Sequence, residues 1–212
     1  MTDPVMTGTV RGLVLAGGRS SRMGTDKAEL RYGSMTQVQR ATALLEPWCA
    51  SVHVSRAPGQ PLPEGVDEER VLRDRFLDFG PLGGLLTAFC HDRQAAWLVV
   101  ACDLPLLTGR SVAALVASRD PSAAATAYLS PDGSFPEPLC ALWEPLVHPE
   151  AFLALASGRT CPRRLLSGTR VRLLPAPGQE LFNANTPDER RRVREVARTT
   201  RSPGSAVSSN WA

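Results

Sequence analysis

Between Leu15 and Ala28 the sequence runs LAGGRSSRMGTDKA. Gly17, Gly18 and Gly24 allow backbone N–H groups to approach an anion closely, and Arg19, Arg22 and Lys27 add positive charge, so this stretch has the composition of a polyphosphate cradle. It is neither a Walker A loop, which needs GxxxxGK[ST], nor a GxGxxG turn. Lys27 is the one lysine among 24 basic residues, the rest being arginine. A point charge retained in a chain that otherwise uses Arg suggests chemistry rather than generic surface charge.

The second candidate is Asp103, just past the apolar run WLVVA (97–101). A carboxylate at the exit of a buried strand can hold Mg²⁺ against phosphate oxygens, or it can cap a following helix. Covalent catalysis is not expected. Cys49, Cys90, Cys102, Cys140 and Cys161 stand singly in mostly apolar stretches and read as buried free thiols. The serines have no His and Asp constellation, and His53, His91 and His148 lie in unrelated settings.

These residues need elements to position them. Thr9–Ala16 reads as a buried strand, Thr36–Leu45 as a helix, Ser51–Ser55 as a strand, Arg70–Leu72 as a short strand and Leu82–Cys90 as a helix behind Pro81. Trp97–Ala101, apolar on both faces, predicts a central parallel strand. Thr108–Ser118 predicts a Thr-capped helix, Ala123–Leu129 and Leu139–Trp143 two strands, Pro149–Ala156 and Cys161–Leu166 helices, and Val171–Leu174 a strand. Thr186–Ala197 predicts a last helix with a capping box from Thr186 to Glu189. Such alternation predicts a three-layer, mostly parallel Rossmann-like α/β sheet with its ligand beyond the carboxyl ends of the strands. The expected organisation is a flexible segment 1–8, one domain over 9–200 and a disordered tail 201–212 rich in Ser and Pro.

Four stretches together resemble the molybdenum cofactor guanylyltransferases, within the larger nucleotidyltransferase group. LAGGRSSRMGTDKA is similar to the family signature LAGGxSxRMGxDKA, Gly80-Pro81-Leu82-Gly83-Gly84 to a GPLAG turn, Cys102-Asp103-Leu104-Pro105 to a CDxP motif, and Phe182 to Glu189 to an FxNxNTPE segment. The resemblance implies the nucleotidyltransferase fold and nucleotide binding by Leu15, Ala16, Gly17, Gly18, Lys27, Asp74 and Asp103. It also implies a metal role for Asp103, transition-state stabilisation by Lys27 with Arg22 assisting the leaving pyrophosphate, and acceptor binding by Asn183 and Asn185. Asp78 lies close enough to Asp74 to be confused with it. Pro138 to Trp143 matches a family strand beside the acceptor. Where the family often has Asn to help hold the nucleotide, this chain has Ser55 followed by Arg56.

The implied reaction transfers GMP from GTP to the terminal phosphate of molybdenum-loaded molybdopterin, with Mg²⁺ as cofactor. Alternatives within the class are a cytidylyltransferase for the same pterin, which would tend to carry LAAG, and a sugar-phosphate nucleotidyltransferase, which would lose NANTP. A non-catalytic nucleotide-binding delivery module would be expected to lack Asp103 or Lys27. Contact with molybdoenzyme chaperones or other pathway proteins is compatible with catalysis.

Composition limits other classes. With 43% hydrophobic and 21% charged residues in 212, a single core-forming domain is expected. The net charge of +3 is accounted for by Asp188–Arg201, so the body carries no basic excess for a nucleic-acid partner. No apolar run approaches the roughly 18 residues of a membrane span, and the first ten residues lack a secretion-signal pattern, which predicts a cytoplasmic protein.

Overall fold

The computed structural model describes residues 8–17, 27–184 and 186–199. The N-terminal segment before Gly8, most of the glycine-rich loop including Gly18 and Arg22, Asn185, and the expected tail lie outside the described residues, and only the backbone of Lys27 is described. The elements are β1 (Val10–Leu15), α1 (Gln37–Leu45), β2 (Val52–Arg56), β3 (Val71–Arg73), α2 (Pro81–His91), β4 (Ala96–Ala101), α3 (Gly109–Ala117), β5 (Ala125–Leu129), β6 (Pro136–Trp143), α4 (His148–Ala156), α5 (Pro162–Ser167), β7 (Val171–Leu174) and α6 (Pro187–Thr199).

Several boundaries follow from capping chemistry. Thr36 accepts from the Gln39 N–H while the Gln39 side chain accepts from the Thr36 N–H, closing a capping box on α1. Thr186 and Glu189 make the same reciprocal pair ahead of α6. Pro81 is the first residue of α2, where its missing N–H costs nothing.

The sheet has seven strands in the order β3-β2-β1-β4-β6-β5-β7. All pairings are parallel except those of β6 with β4 and β5. The exception has a local cause. Only the turn 130–135 joins β5 to β6, and there Asp132 accepts from Ser130 and Ser134 side chains, whereas a parallel crossover needs a dozen residues or more. Because β2 and β3 lie on one side of β1 and β4 on the other, the chain reverses direction across the sheet between β1 and β4. That is the position where such sheets open a ligand crevice.

Each sheet face buries its own core. Val14, Leu98, Val100 and Leu142 pack with Val38 and Leu45 of α1 and Leu115 of α3. Leu13, Trp97, Val99 and Trp143 pack with Leu82, Leu85 and Phe89 of α2, Ala151 of α4 and Leu166 of α5. Strands buried on both faces explain why Ala96–Ala101 reads as an unbroken apolar run. None of the five cysteines is in a disulfide, but they are not uniformly buried as expected: Cys161 is exposed and Cys49 and Cys90 are half-buried, because they fall at element ends.

Two of the histidines expected in unrelated settings meet. The rings of His53 and His91 lie 4.8 Å apart beside Trp97, because β2 and the end of α2 pack on the same face. Burial first, then the positive fields of His91, Arg11 and Arg70, lower the His53 pKa to about 4. The unfolded chain therefore takes up a proton that the folded chain refuses, and stability is lost as pH falls from about 6.5 toward about 4. The loss is on the order of 3 kcal/mol at its limit. Urea midpoints at pH 7 and pH 4.5 should differ less for His53→Leu than for wild type; an equal difference would contradict the assignment.

Candidate active site

The strand register brings the expected residues into one row. Leu15 is level with Ser55 on one side and Ala101 on the other, and Arg56 is level with Arg73. The chain therefore leaves the sheet at Ala16, Ala57, Asp74 and Cys102 along one edge. These exits surround a cleft of about 720 Å³ whose lining includes Leu15, Ala16, Gly17, Asp74, Asp78 and Asp103. Phe76, Leu77, Pro58, Pro81 and Leu139 of β6 supply apolar walls. A mostly apolar cavity of this size with a few convergent polar groups is the usual form of a small-molecule site.

Asp74 is held by two hydrogen bonds and lies against Gly17. Its backbone N–H donates to the Arg56 carbonyl at 2.9 Å, the Ser55 hydroxyl donates to its Oδ1 at 2.6 Å, and its Oδ2 faces Gly17. Burial raises its pKa, opposed by the Ser55 hydrogen bond and the positive charge of Arg56. Arg56 is fully buried, with Nη1 donating to the Ala16 carbonyl at 2.8 Å and Nη2 to the Pro61 carbonyl at 3.0 Å. A guanidinium fork thus ties the first loop to the 57–61 loop.

Asp103 is half-buried in the turn after β4, and its carbonyl accepts the Ala184 N–H at 3.1 Å. That bond brings the segment carrying Asn183 next to Asp103, although Asn183 itself does not line the cleft. The capping alternative for Asp103 does not hold for the next helix: α3 begins at Gly109 and is capped by Thr108. Gly18, Arg22 and Asn185, and the side chain of Lys27, lie outside the described residues. The cleft contains both Asp74 and Asp78, the latter at a positive φ of 64°.

Sequence reasoning missed the joint role of Ser55 and Arg56, and it gave no reading of the buried Glu137. Glu137 is buried on β6, and its pKa is raised by burial and, to a lesser extent, by the charge of Asp103. The signal available at Ser55 was its departure from the family's Asn. Cys140, within the same sheet, is held as a neutral thiol by burial.

Gly17 admits no side chain. A Cβ there would stand 2.9 Å from Asp74 Oδ2 and 3.3 Å from the Ala57 nitrogen, so Gly17→Ala must displace the carboxylate. For the guanine nucleotide that the family resemblance implies, we expect roughly a tenfold loss of GTP affinity, about 1.4 kcal/mol, and a smaller loss for CTP. Equal losses for the two nucleotides in a titration would contradict this.

The donor set also suits a divalent ion. Asp103 offers hard carboxylate oxygens, and among the described residues no group of three or more His, Cys, Asp or Glu is arranged to hold a metal. Phosphate oxygens and water would complete the coordination, as is usual for Mg²⁺ with nucleotides.

A doubly wound sheet with a cleft at its switch point, lined by Gly17 and by a carboxylate at the central strand's exit, is the arrangement in which open α/β sheets bind a small ligand. The chain belongs to the MobA-like NTP transferase domain family, whose model matches residues 12–173. It is 34% identical over 179 residues to a molybdenum cofactor biosynthesis bifunctional protein of Synechocystis sp., the match covering 84% of this chain and 52% of that protein. It is 44% identical over 102 residues to a probable molybdenum cofactor guanylyltransferase of Mycobacterium tuberculosis, covering 46% and 50% respectively. The chain thus spans about half the length of the curated relatives it matches. The fold is shared with molybdopterin-guanine dinucleotide biosynthesis protein A from Archaeoglobus fulgidus, at a TM-score of 0.68 and 20% identity over 89% of this chain and 99% of that one. It is shared also with a Mycobacterium tuberculosis protein solved with manganese, at 0.60 and 17% over 88% and 98%. No helix among the described residues is long and apolar enough to cross a membrane.

Proposed function

We propose that this nucleotidyltransferase moves the GMP unit of GTP onto the terminal phosphate of molybdopterin in its molybdenum-loaded form. The observation that carries the reading is the cleft itself, which gathers Leu15, Ala16, Gly17, Asp74 and Asp103 from three separate strand exits. The names of the curated relatives support the molybdenum cofactor, and one of them, a probable guanylyltransferase, the guanine. An oxygen of the pterin phosphate bonds to the α-phosphorus as the bond from that phosphorus to the β-phosphate oxygen breaks, releasing pyrophosphate. The attacking phosphate is already an anion at neutral pH, so no protein base is required and the enzyme contributes positioning and charge stabilisation.

In this reading Gly17 and Gly18 receive the nucleotide backbone to backbone, and Asp74 and the apolar walls hold the nucleoside. Lys27 and Arg22 would neutralise the phosphates, and Asn183 and Asn185 would bind the acceptor. Asp103 would hold a divalent ion, Mg²⁺ in the cell, and such an ion would supply positive charge against the phosphates. Manganese in the related structure fits that ion's class.

The test is a transfer assay with α-labelled GTP, Mg²⁺ and molybdopterin. Label appearing in a pterin dinucleotide, with stoichiometric pyrophosphate, is the expected result. Transfer from CTP in preference to GTP, or to a sugar phosphate instead of the pterin, would overturn it.

A further inference from the structure

Ser55 and Asp74 are separated by 19 residues of sequence yet joined by a hydrogen bond of 2.6 Å inside the cleft wall. Ser55 is 1% exposed, and helix α2 passes so close that a Cβ at Gly84 would stand 2.5 Å from its hydroxyl oxygen. Its rotamer is therefore constrained, and a constrained hydroxyl constrains the carboxylate it donates to. The backbone on either side is constrained as well, because Arg56 holds the Ala16 and Pro61 carbonyls and offers its own carbonyl to the Asp74 N–H.

We infer that Ser55 is a positioning residue which aims the Asp74 carboxylate at the amidine edge of a bound guanine, with Arg56 fixing the loops on both sides. The inference rests on the nucleotide reading above and adds to it the device that selects the base. An ionised carboxylate only accepts hydrogen bonds. Guanine presents the adjacent donors N1–H and N2–H, whereas cytosine presents the acceptors N3 and O2 with a single amino donor, and adenine an acceptor N1 beside its amino group. With the Ser55 hydroxyl on Oδ1, Oδ2 and the remaining lone pair of Oδ1 are available to such a pair of donors. The apolar walls of the same cleft include Phe76, Leu77 and Pro81, which suit a flat base rather than a phosphate. Ser55 and Arg56 also oppose the effect of burial on Asp74, favouring the charged form that accepts.

The experiment is a double-mutant cycle of Ser55→Ala and Asp74→Asn in the full chain, read by isothermal titration with GTP and with inosine triphosphate, which lacks the N2 amino group. Melting temperature and circular dichroism establish that each variant is folded. The expected result is a loss of roughly tenfold in GTP affinity for Ser55→Ala, no further loss from it in the Asp74→Asn background, and a loss of under about threefold with inosine triphosphate. Wild-type GTP affinity in Ser55→Ala would overturn the inference, as would losses that add across the two sites or that are equal for the two nucleotides. The wild-type ranking of GTP against CTP is measured alongside. A wild type that prefers CTP defeats the guanine reading of function, whereas a wild type that prefers GTP with an uncoupled Ser55 defeats only the positioning role.

Discussion

Asp103→Ala is expected to remove divalent-dependent turnover, lowering kcat roughly 10²- to 10³-fold, while the protein remains folded. That magnitude is typical of losing one preorganised group that stabilises transition-state charge, about 3–4 kcal/mol. The fold should tolerate the change because Asp103 makes its bond to the 182–184 segment through its backbone carbonyl, which the substitution keeps. Nor is the Asp103 side chain the cap of α3, so α3 does not lose its cap with the carboxylate. Steady-state rates across a Mg²⁺ titration provide the check. Activity near wild type at saturating Mg²⁺ would take Asp103 out of the metal site.

The largest stability effect is expected from Glu144→Ala. Arg119 donates to Glu144 through Nε at 2.7 Å and Nη2 at 2.9 Å, and the two side chains are only 8% and 2% exposed. The pair joins the residues just past α3 to the end of β6, where the Glu144 N–H also donates to the Ala124 carbonyl. Removing the carboxylate leaves a buried guanidinium without its counter-charge, which costs about 3–5 kcal/mol. At roughly 2–4 °C per kcal/mol for a chain of this size, the melting temperature should fall by about 10 °C. Replacing both partners, as Arg119→Met with Glu144→Leu, should cost less than the single change, because no charge is left stranded. A single variant that melts with wild type would show that the pair contributes little.

The layers of the fold were legible because they rest on local patterns: apolar runs for strands buried on both faces, and Thr108 and Thr186 as caps. The antiparallel entry of β6 was not, since it depends on the tight turn at 130–135 pulling the next strand back beside its predecessor. Of the candidate site, Gly17, Asp74 and Asp103 are gathered by the structure; Gly17 and Asp103 were readable from their positions after strands, and Asp74 from the family resemblance. Arg56 was not readable as a buried fork, because its partners Ala16 and Pro61 are chosen by a contact across 40 residues and by loop shape, and Arg is rarely fully buried. The GPLGG turn shows the same limit. A Cβ at Gly83 would stand 2.2 Å from the Phe76 carbonyl oxygen, a close backbone approach invisible to a motif that tolerates Ala there.

The base selected by the cleft is the central claim, and calorimetric titration of the wild-type chain with GTP and with CTP in the presence of Mg²⁺ tests it without any acceptor. GTP is expected to bind at least roughly tenfold more tightly, a difference of about 1.4 kcal/mol. Equal affinities, or tighter binding of CTP, would contradict it.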